Sequence, residues 1–354
     1  MVNKMKIKNI EIKAKDAIIK SFQDIPFVRI NSVEVEPDFR NINPDIDIRL
    51  QSADKDLFLI AEIKNNGEPR CARQAVSEIL SYIKNTGSDY GIFIAPYISS
   101  KAAAICQAAG VGYIDLAGNC YISFERIYIH KEGKPNPFKR KRYLRTLFSP
   151  KAERILRVLI TAGPKEWKVK ELAVEADVSL GQVSNVKKLL ADQEWIDEKT
   201  VGFSLNDPLS LIGEWLENYQ FQRNDVLYFY TMSGISEFEF KLGEFCKREN
   251  IRYALTGFSG STRYAPAVRY QRAAAYVEQD FEKMIESIDI KAVDSGANVL
   301  LLKPYDEGVF YGKQEQNGSI IVSAVQNYLD LSSFRGRGQE AAEKLLEKAV
   351  LKKW

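Results

Sequence analysis

The segment from Ser149 to Leu205 constrains this chain most, because its pattern admits few arrangements. Ser149-Pro150 supplies a capping residue and then a proline whose φ is already set for the first helical position. Ala152, Ile155, Leu156 and Leu159 follow at helical spacing, which leaves Lys151, Arg154 and Arg157 on the expected outer side. Ala162-Gly163-Pro164 stops that helix. Val169, Leu172, Ala173 and Ala176 mark a short second helix, Asp177-Val178 a turn, and Ser179 the cap of a third. Along the third, Leu180, Val183, Val186 and Leu190 form the apolar side, while Gln182, Ser184, Asn185 and Lys188 point elsewhere. Trp195-Ile196 and Val201 to Leu205 then read as two short strands around Asp197 to Thr200.

Three short helices with that turn, followed by a hairpin, make a winged helix-turn-helix whose third helix docks in the major groove. Amides pair with adenine, cations reach guanine or phosphate, and a hydroxyl serves either, so Gln182, Ser184, Asn185, Lys187 and Lys188 are the expected contacts to double-stranded DNA. Upstream, Gly133-Lys134-Pro135-Asn136-Pro137 breaks regular structure and marks a domain boundary. Lys139, Arg140, Lys141, Arg142 and Arg145 follow at once as the densest positive run in the chain. A charge run is usually only solvated, but beside a DNA-binding segment it is expected to neutralise phosphates and release counterions. The same fold also serves elsewhere as a protein-docking module, which is the competing use of these residues.

At 354 residues the chain is too long for one ordinary core, and two or three domains are expected. The net charge of +3 is small, so any affinity for nucleic acid must come from local clusters such as the one above. Cys71, Cys106, Cys120 and Cys246 are too widely spread for a zinc ribbon, and His130 is the one histidine, so no transition-metal site is expected. No run approaches the ~20 apolar residues of a membrane span. The expected setting is cytoplasmic, with reduced thiols and no membrane partner.

Residues 5 to 22 carry a helical pattern, and Phe27 to Val35 reads as strand. In Asn43 to Leu50, strand alternation puts Asp45, Asp47 and Arg49 on one face and Ile46, Ile48 and Leu50 on the other. After a polar turn, Leu57 to Lys64 carries Glu62 and Lys64 on one face, so adjacency of the two strands would bring carboxylates and a lysine together. This arrangement, Pro-Asp, a turn, then Glu-x-Lys, resembles the PD-(D/E)xK nuclease superfamily. The resemblance implies that Asp45 or Asp47, with Glu62, holds a divalent metal such as Mg2+ while Lys64 positions the attacking water; both aspartates share a face and stay alternatives. The order of elements agrees: a helix from Arg70 to Lys84, the strand Gly91 to Ala95, and Arg70, Arg73 and Gln74 opening the helix where related nucleases contact DNA. Two features depart from the pattern, since Gln74 is followed four residues later by Glu78 rather than tyrosine and the first helix lacks an obvious matching glutamate. A nuclease-like domain retained for binding is therefore expected, with a metal-dependent deoxyribonuclease as the alternative. Further on, Ser99 to Ala109 reads as helix, Gly112 to Asn119 as a strand entering a Gly-Asn turn capped by Asp115, and Tyr121 to His130 as one returning strand.

Asn206-Asp207-Pro208 starts a helix carrying Leu211, Ile212 and Trp215. Val226 to Tyr230, Arg252 to Thr256, Arg272 to Val277 and Val299 to Leu302 are expected strands, with helices at 235 to 250 and 280 to 287. Thr256 to Thr262 could cradle a phosphate, though a plain strand-to-helix connection is the preferred reading. The winged helix, Ala254-Leu255-Thr256-Gly257, the Gln326 to Leu331 segment and Arg335-Gly336-Arg337-Gly338-Gln339-Glu340-Ala341-Ala342 together resemble the AbiEi-type antitoxin and transcriptional regulator family of type IV toxin-antitoxin systems. Gly112 to Asn119 also looks like members with a nuclease-like extension. That resemblance implies an operator-binding autorepressor whose partner is a nucleotidyltransferase-like toxin. A homodimer is the default for helix-turn-helix proteins on paired half-sites. The expected whole is a multidomain α/β (α+β) chain: a restriction-endonuclease-like domain over 1–133, a basic linker over 134–148, the winged helix-turn-helix over 149–207 and an antitoxin-like α/β domain over 208–354.

Overall fold

The computed structural model describes residues 2–37, 43–53, 55–138, 147–265, 270–278, 281–334 and 336–354, with side chains from residue 10 onward. The chain forms two compact units, Met1–Arg140 with Ala191–Glu194, and Lys141–Leu190 with Trp195–Trp354. The charged run Lys139, Arg140, Lys141, Arg142 and Arg145 lies outside the described residues, as does Arg335.

In the first unit, α1 (Val2–Phe22) precedes the antiparallel meander β1 (Val28–Val35), β2 (Ile46–Ser52) and β3 (Lys55–Ile63). Then come α2 (Pro69–Thr86), β4 (Tyr90–Ala95), α3 (Ser100–Ala108), β5 (Gly112–Asp115) and the hairpin β6 (Cys120–Phe124) with β7 (Ile127–Lys131). The strands lie side by side in chain order, and β3, β4 and β5 run parallel. Strand alternation builds two cores. Ile46, Ile48, Leu50, Leu57, Leu59 and Ala61 pack with Ala14, Ile18 and Phe22 of α1, while Phe93, Ala95 and Tyr113 lie with Ala72, Ala75 and Ile79 of α2 on the other side. Each fully buried large apolar side chain contributes about 1.5–3 kcal/mol. Gly91 lets α2 sit this close, since a Cβ there would fall 2.1 Å from Ile79 Cγ2. The stretch expected as one strand from Tyr121 to His130 is instead two, because Glu125 takes a φ of +51° and reverses the chain with Arg126.

The second unit begins with three helices, α4 (Pro150–Ala162), α5 (Val169–Glu175) and α6 (Leu180–Asp192). They are followed by the paired β8 (Ile196–Glu198) and β9 (Phe203–Leu205), then by α7 (Pro208–Asn218), capped by the Asp207 carboxylate accepting from the Ser210 N–H at 3.0 Å. A second seven-stranded mixed sheet has the order β13-β10-β14-β12-β11-β16-β15. Its strands are β10 (Asp225–Tyr230), β11 (Tyr253–Leu255), β12 (Ala273–Val277), β13 (Lys291–Ala292), β14 (Val299–Lys303), β15 (Gln314–Gln316) and β16 (Ser319–Ile321). On one face Phe229, Leu255, Ala275 and Leu301 pack with Phe238, Leu242 and Phe245 of α8 (Ile235–Arg248) and Met284 of α10 (Phe281–Ile288). Toward the other face lie α9 (Gly257–Tyr264), α11 (Ala324–Ser332) and α12 (Arg337–Leu345). The Thr256 to Thr262 loop is a connection: the Thr256 hydroxyl donates to Asn327 and Asp330, and Ser259 Oγ accepts from the Ala274 N–H.

Arg154 and Arg157 correct the reading of the first helix, since both are buried. Arg154 grips Asp306 through Nε and Nη2 at 2.8 and 3.0 Å and reaches Asp177 and Glu307. Arg157, 0% exposed, donates to Gln326 Oε1 at 2.8 Å and to the Tyr305 hydroxyl at 2.7 Å. Gln326 passes the chain on to Asp330, whose carboxylate also accepts from Tyr219, Tyr276 and Thr256. Burial pushes the Asp330 carboxyl up to about 6, against the pull of these four donors. A three-helix module standing alone would leave these arginines in water. Here residues 305–307 and α11 cover them, so helices and sheet form one unit.

Candidate nucleic-acid interface and a buried carboxylate cluster

Ser179 Oγ accepts from the Gln182 N–H at 3.2 Å and starts α6 as a cap should. Val183, Val186 and Leu190 are fully buried, while Ser184, Asn185 and Lys188 are exposed and Gln182 is half-buried. Leu180 leaves the apolar set and is 54% exposed. At ~100° per residue it lies about a quarter turn from the stripe that Val183, Val186 and Leu190 share, so the helical angle, read strictly, already placed it beside Ser184. Lys187 differs from its neighbours: its Nζ lies 3.0 Å from Glu198 Oε1 in β8 and over the Phe203 ring, which ties helix to hairpin. Val201, between the two strands, is 66% exposed.

In the first unit the register sets Ile46 against Ala61 and Asp47 against Ile60, so Asp45, one residue outside β2, comes level with Glu62. Asp45 Oδ2 accepts from the Ile63 N–H at 2.6 Å. Lys64 Nζ bridges Glu62 Oε1 at 2.7 Å and Glu78 Oε2 at 2.5 Å, and Gln74 donates to the other oxygen of Glu78 at 2.9 Å. Asp47 stands apart from this group. It pairs with Arg49 at 3.4 Å, and Arg49 in turn stacks 3.6 Å over the Phe58 ring. Of the two alternatives, Asp45 is the one beside Glu62 and Lys64.

The charge balance of the cluster is uneven. Burial pushes the Glu62 carboxyl up to about 8, with Asp45 adding to the rise and the hydrogen bond from Lys64 opposing it. Burial likewise raises Asp45 against the Ile63 N–H and Lys64, and raises Asp47 against Arg49. Burial would lower Lys64, but its bonds to Glu62 and Glu78 hold it above the ordinary lysine value. Glu78 is lowered in spite of burial, by Lys64 and Gln74. Glu62 Oε2 and Asp47 Oδ1 are buried without a hydrogen-bond partner. Oxygen donors of this kind suit magnesium. Their spacing does not, because among the described residues no group of three or more carboxylate, histidine or cysteine side chains is placed to hold a metal ion. The lysine ammonium takes up the position between the carboxylates. Glu78, read from the sequence only as a departure from the nuclease pattern, is the residue that completes the bridge. Its spacing of four from Gln74 was the available signal.

Asp115 caps its turn as expected, accepting from the backbone N–H groups of Ala117, Gly118 and Asn119 at 2.8–3.0 Å. Among the described residues no helix is long and apolar enough to cross a membrane.

Compared with curated proteins, the chain has no match. Among solved structures, apo EndoMS aligns over 30% of this chain and 45% of its own, at 18% identity and a TM-score of 0.22, a likeness too slight to build on. Residues 204–351 match the family model described as transcriptional regulator, AbiEi antitoxin, type IV TA system. That stretch runs from β9 through the second sheet and its helices, and contains the Ala254 to Gly257 and Arg337 to Ala342 motifs. Over this stretch, less than half of the chain, the protein is similar to the AbiEi antitoxin family.

Proposed function

We propose that the protein is a DNA-binding transcriptional regulator, an antitoxin-like autorepressor that reads its operator with a winged helix formed by α4, α5, α6 and the β8–β9 hairpin. The observation that carries this reading is the exposed face of α6, where Ser184, Asn185 and Lys188 stand in solvent opposite a fully buried stripe. On it, Asn185 would pair with adenine, Lys188 reach guanine or phosphate, and Ser184 serve either. Gln182 flanks the face, and Leu180 offers an apolar contact to a thymine methyl. Lys187 supports the reading helix through Glu198 rather than touching bases. Val201 tips the wing, and the run from Lys139 to Arg145 would hold the backbone. The family supports a nucleotidyltransferase-like toxin as partner, and a homodimer on paired half-sites suits the fold. Gel shifts with the DNA upstream of the protein's own gene test this: specific retardation that Asn185→Ala weakens is expected. Retardation indifferent to Asn185, Lys188 and Gln182 together would overturn it.

A second reading, magnesium-dependent DNA cleavage by Asp45 or Asp47 with Glu62 and Lys64, is favoured by the two unpartnered carboxylate oxygens. It ranks below the first because Lys64 already bridges Glu62 and Glu78. Cleavage in magnesium that disappears in Glu62→Ala and Lys64→Ala would promote it.

A further inference from the structure

The Asp115 to Asn119 turn, which the operator reading leaves without a role, borders a cavity of about 470 Å3 in the first unit. Its walls come from separate elements. Lys13, Ala17 and Lys20 recur at helical spacing along α1; Leu116, Ala117 and Gly118 form the turn; Lys131 ends β7; and Phe138 adds an aromatic ring to the wall. Register places Lys131 directly beside Cys120, at the foot of the turn. The volume lies within the ~300–1,000 Å3 of small-molecule sites. The position is also a favoured one. β3, β4 and β5 are parallel, and the turn follows the carboxyl end of β5, the edge at which open α/β sheets take ligands.

The charge of this cavity is not balanced within the protein. The side chains of Lys13, Lys20 and Lys131 form no ion pair or hydrogen bond among the described residues. Asp115, which also lines it, spends its carboxylate on the turn and on the Asn119 amide at 2.8 Å. Asp16 is the one exposed carboxylate on the wall. The loop carrying Phe138 is held in place from below. Asn119 accepts from the Lys134 N–H at 2.8 Å and donates to the Lys134 carbonyl at 3.2 Å, and Asn136 accepts from the Phe138 N–H. Three ammoniums facing one open carboxylate select an anion with several charges, and an exposed ring beside apolar Leu116 and Ala117 selects a flat partner.

We propose that this cavity binds a phosphate-bearing nucleotide, its phosphates among Lys13, Lys20 and Lys131 and its base against Phe138. The nucleotide could be free or the 5′-phosphorylated end of a strand, and the two sources share this chemistry. Calorimetric titration of the full chain with ATP, with a 5′-phosphorylated single-stranded oligothymidylate, and with pyrophosphate separates the cases. Binding of ATP or the oligonucleotide is expected to weaken about tenfold or more in Lys13→Ala and in Lys131→Ala, and to fall steeply with salt. Phe138→Ala should weaken the nucleotide but not pyrophosphate. The three lysines and Phe138 are exposed, so these variants should fold, and unchanged thermal melting checks that they do. Whichever of ATP and the oligonucleotide binds more tightly names the source. Absence of binding by both at about 1 mM, or binding untouched by the lysine substitutions, overturns the site. Pyrophosphate binding as tightly as ATP overturns the nucleotide assignment. The operator test uses α6, so the two proposals fail separately.

Discussion

Helices α4 and α6 have the same kind of sequence, an apolar stripe with cations and polar residues beside it, and opposite fates. In α4 Arg154 and Arg157 beside the stripe anchor a buried network; in α6 Ser184, Asn185 and Lys188 stand in solvent. Propensity and amphipathicity do not distinguish them. What does is the supply of partners from far along the chain: Asp306 lies 152 residues from Arg154, and Gln326 lies 169 from Arg157. Among the described residues no such set arrives at Ser184, Asn185 or Lys188, while their neighbour Lys187 finds a carboxylate and is drawn out of the group. A polar side chain satisfied internally holds the fold, and one left unsatisfied at the surface is available to a ligand.

The largest test of this contrast removes a partner from the satisfied side. Arg157→Ala leaves Gln326 Oε1 without its donor in a buried site, takes one of two cations from Glu153, and opens a cavity beside Trp215. A loss of about 3–5 kcal/mol is expected in denaturant unfolding followed by a probe in the second unit. A loss below about 1 kcal/mol would mean that the network is ornamental. Next in size is the exposed side. Asn185→Ala should leave stability within about 0.5 kcal/mol of the parent while costing about 1–3 kcal/mol of operator affinity. Lys188→Ala should reduce affinity for all sequences alike and lower the salt slope by about 1 if it meets a phosphate. A variant of α6 that melts early would erase the difference between the two helices.

The sequence made most elements visible and left their partners hidden. Alternation in Asn43 to Leu50 and Leu57 to Lys64, and caps such as Ser149-Pro150 and Asp207-Pro208, act within a few residues and are readable as such. Strands β13 and β15, two or three residues long, are polar or exposed and carry no apolar pattern like those that mark the equally short β8, β9 and β11. The Glu125-Arg126 reversal was missed because a non-glycine residue holds the positive φ. Asp45 and Asp47 could not be separated by strand parity, since both lie on one face. Separation came from the position of Lys64 and Glu78 near one of them, which depends on where α2 crosses the sheet. The burial of Arg154 and Arg157 was hidden for the same reason.

The buried carboxylates of the first unit are an intermediate case, part satisfied and part not, and pH reads out the unsatisfied part. Glu62 titrates near 4.5 when unfolded and at about 8 in the fold, so between these values the native state holds the extra proton. Its contribution is therefore fully present below about pH 4.5 and lost as pH rises through 8. Lys64 and Glu78 titrate with it as one system and offset part of this, so a decline of only about 1 kcal/mol between pH 6 and pH 8 is expected. Glu62→Gln should flatten that decline, measured as thermal melting across the range. Magnesium gives the comparison its sharpest edge. A cation held by Glu62 Oε2 would draw the carboxyl back to the ionised state, so under the nuclease reading about 5 mM magnesium would raise the melting temperature of the parent at pH 8 and leave Glu62→Gln unmoved. Equal melting with and without magnesium would assign the cluster to structure, as the lysine bridge does, and place it with α4 rather than with α6.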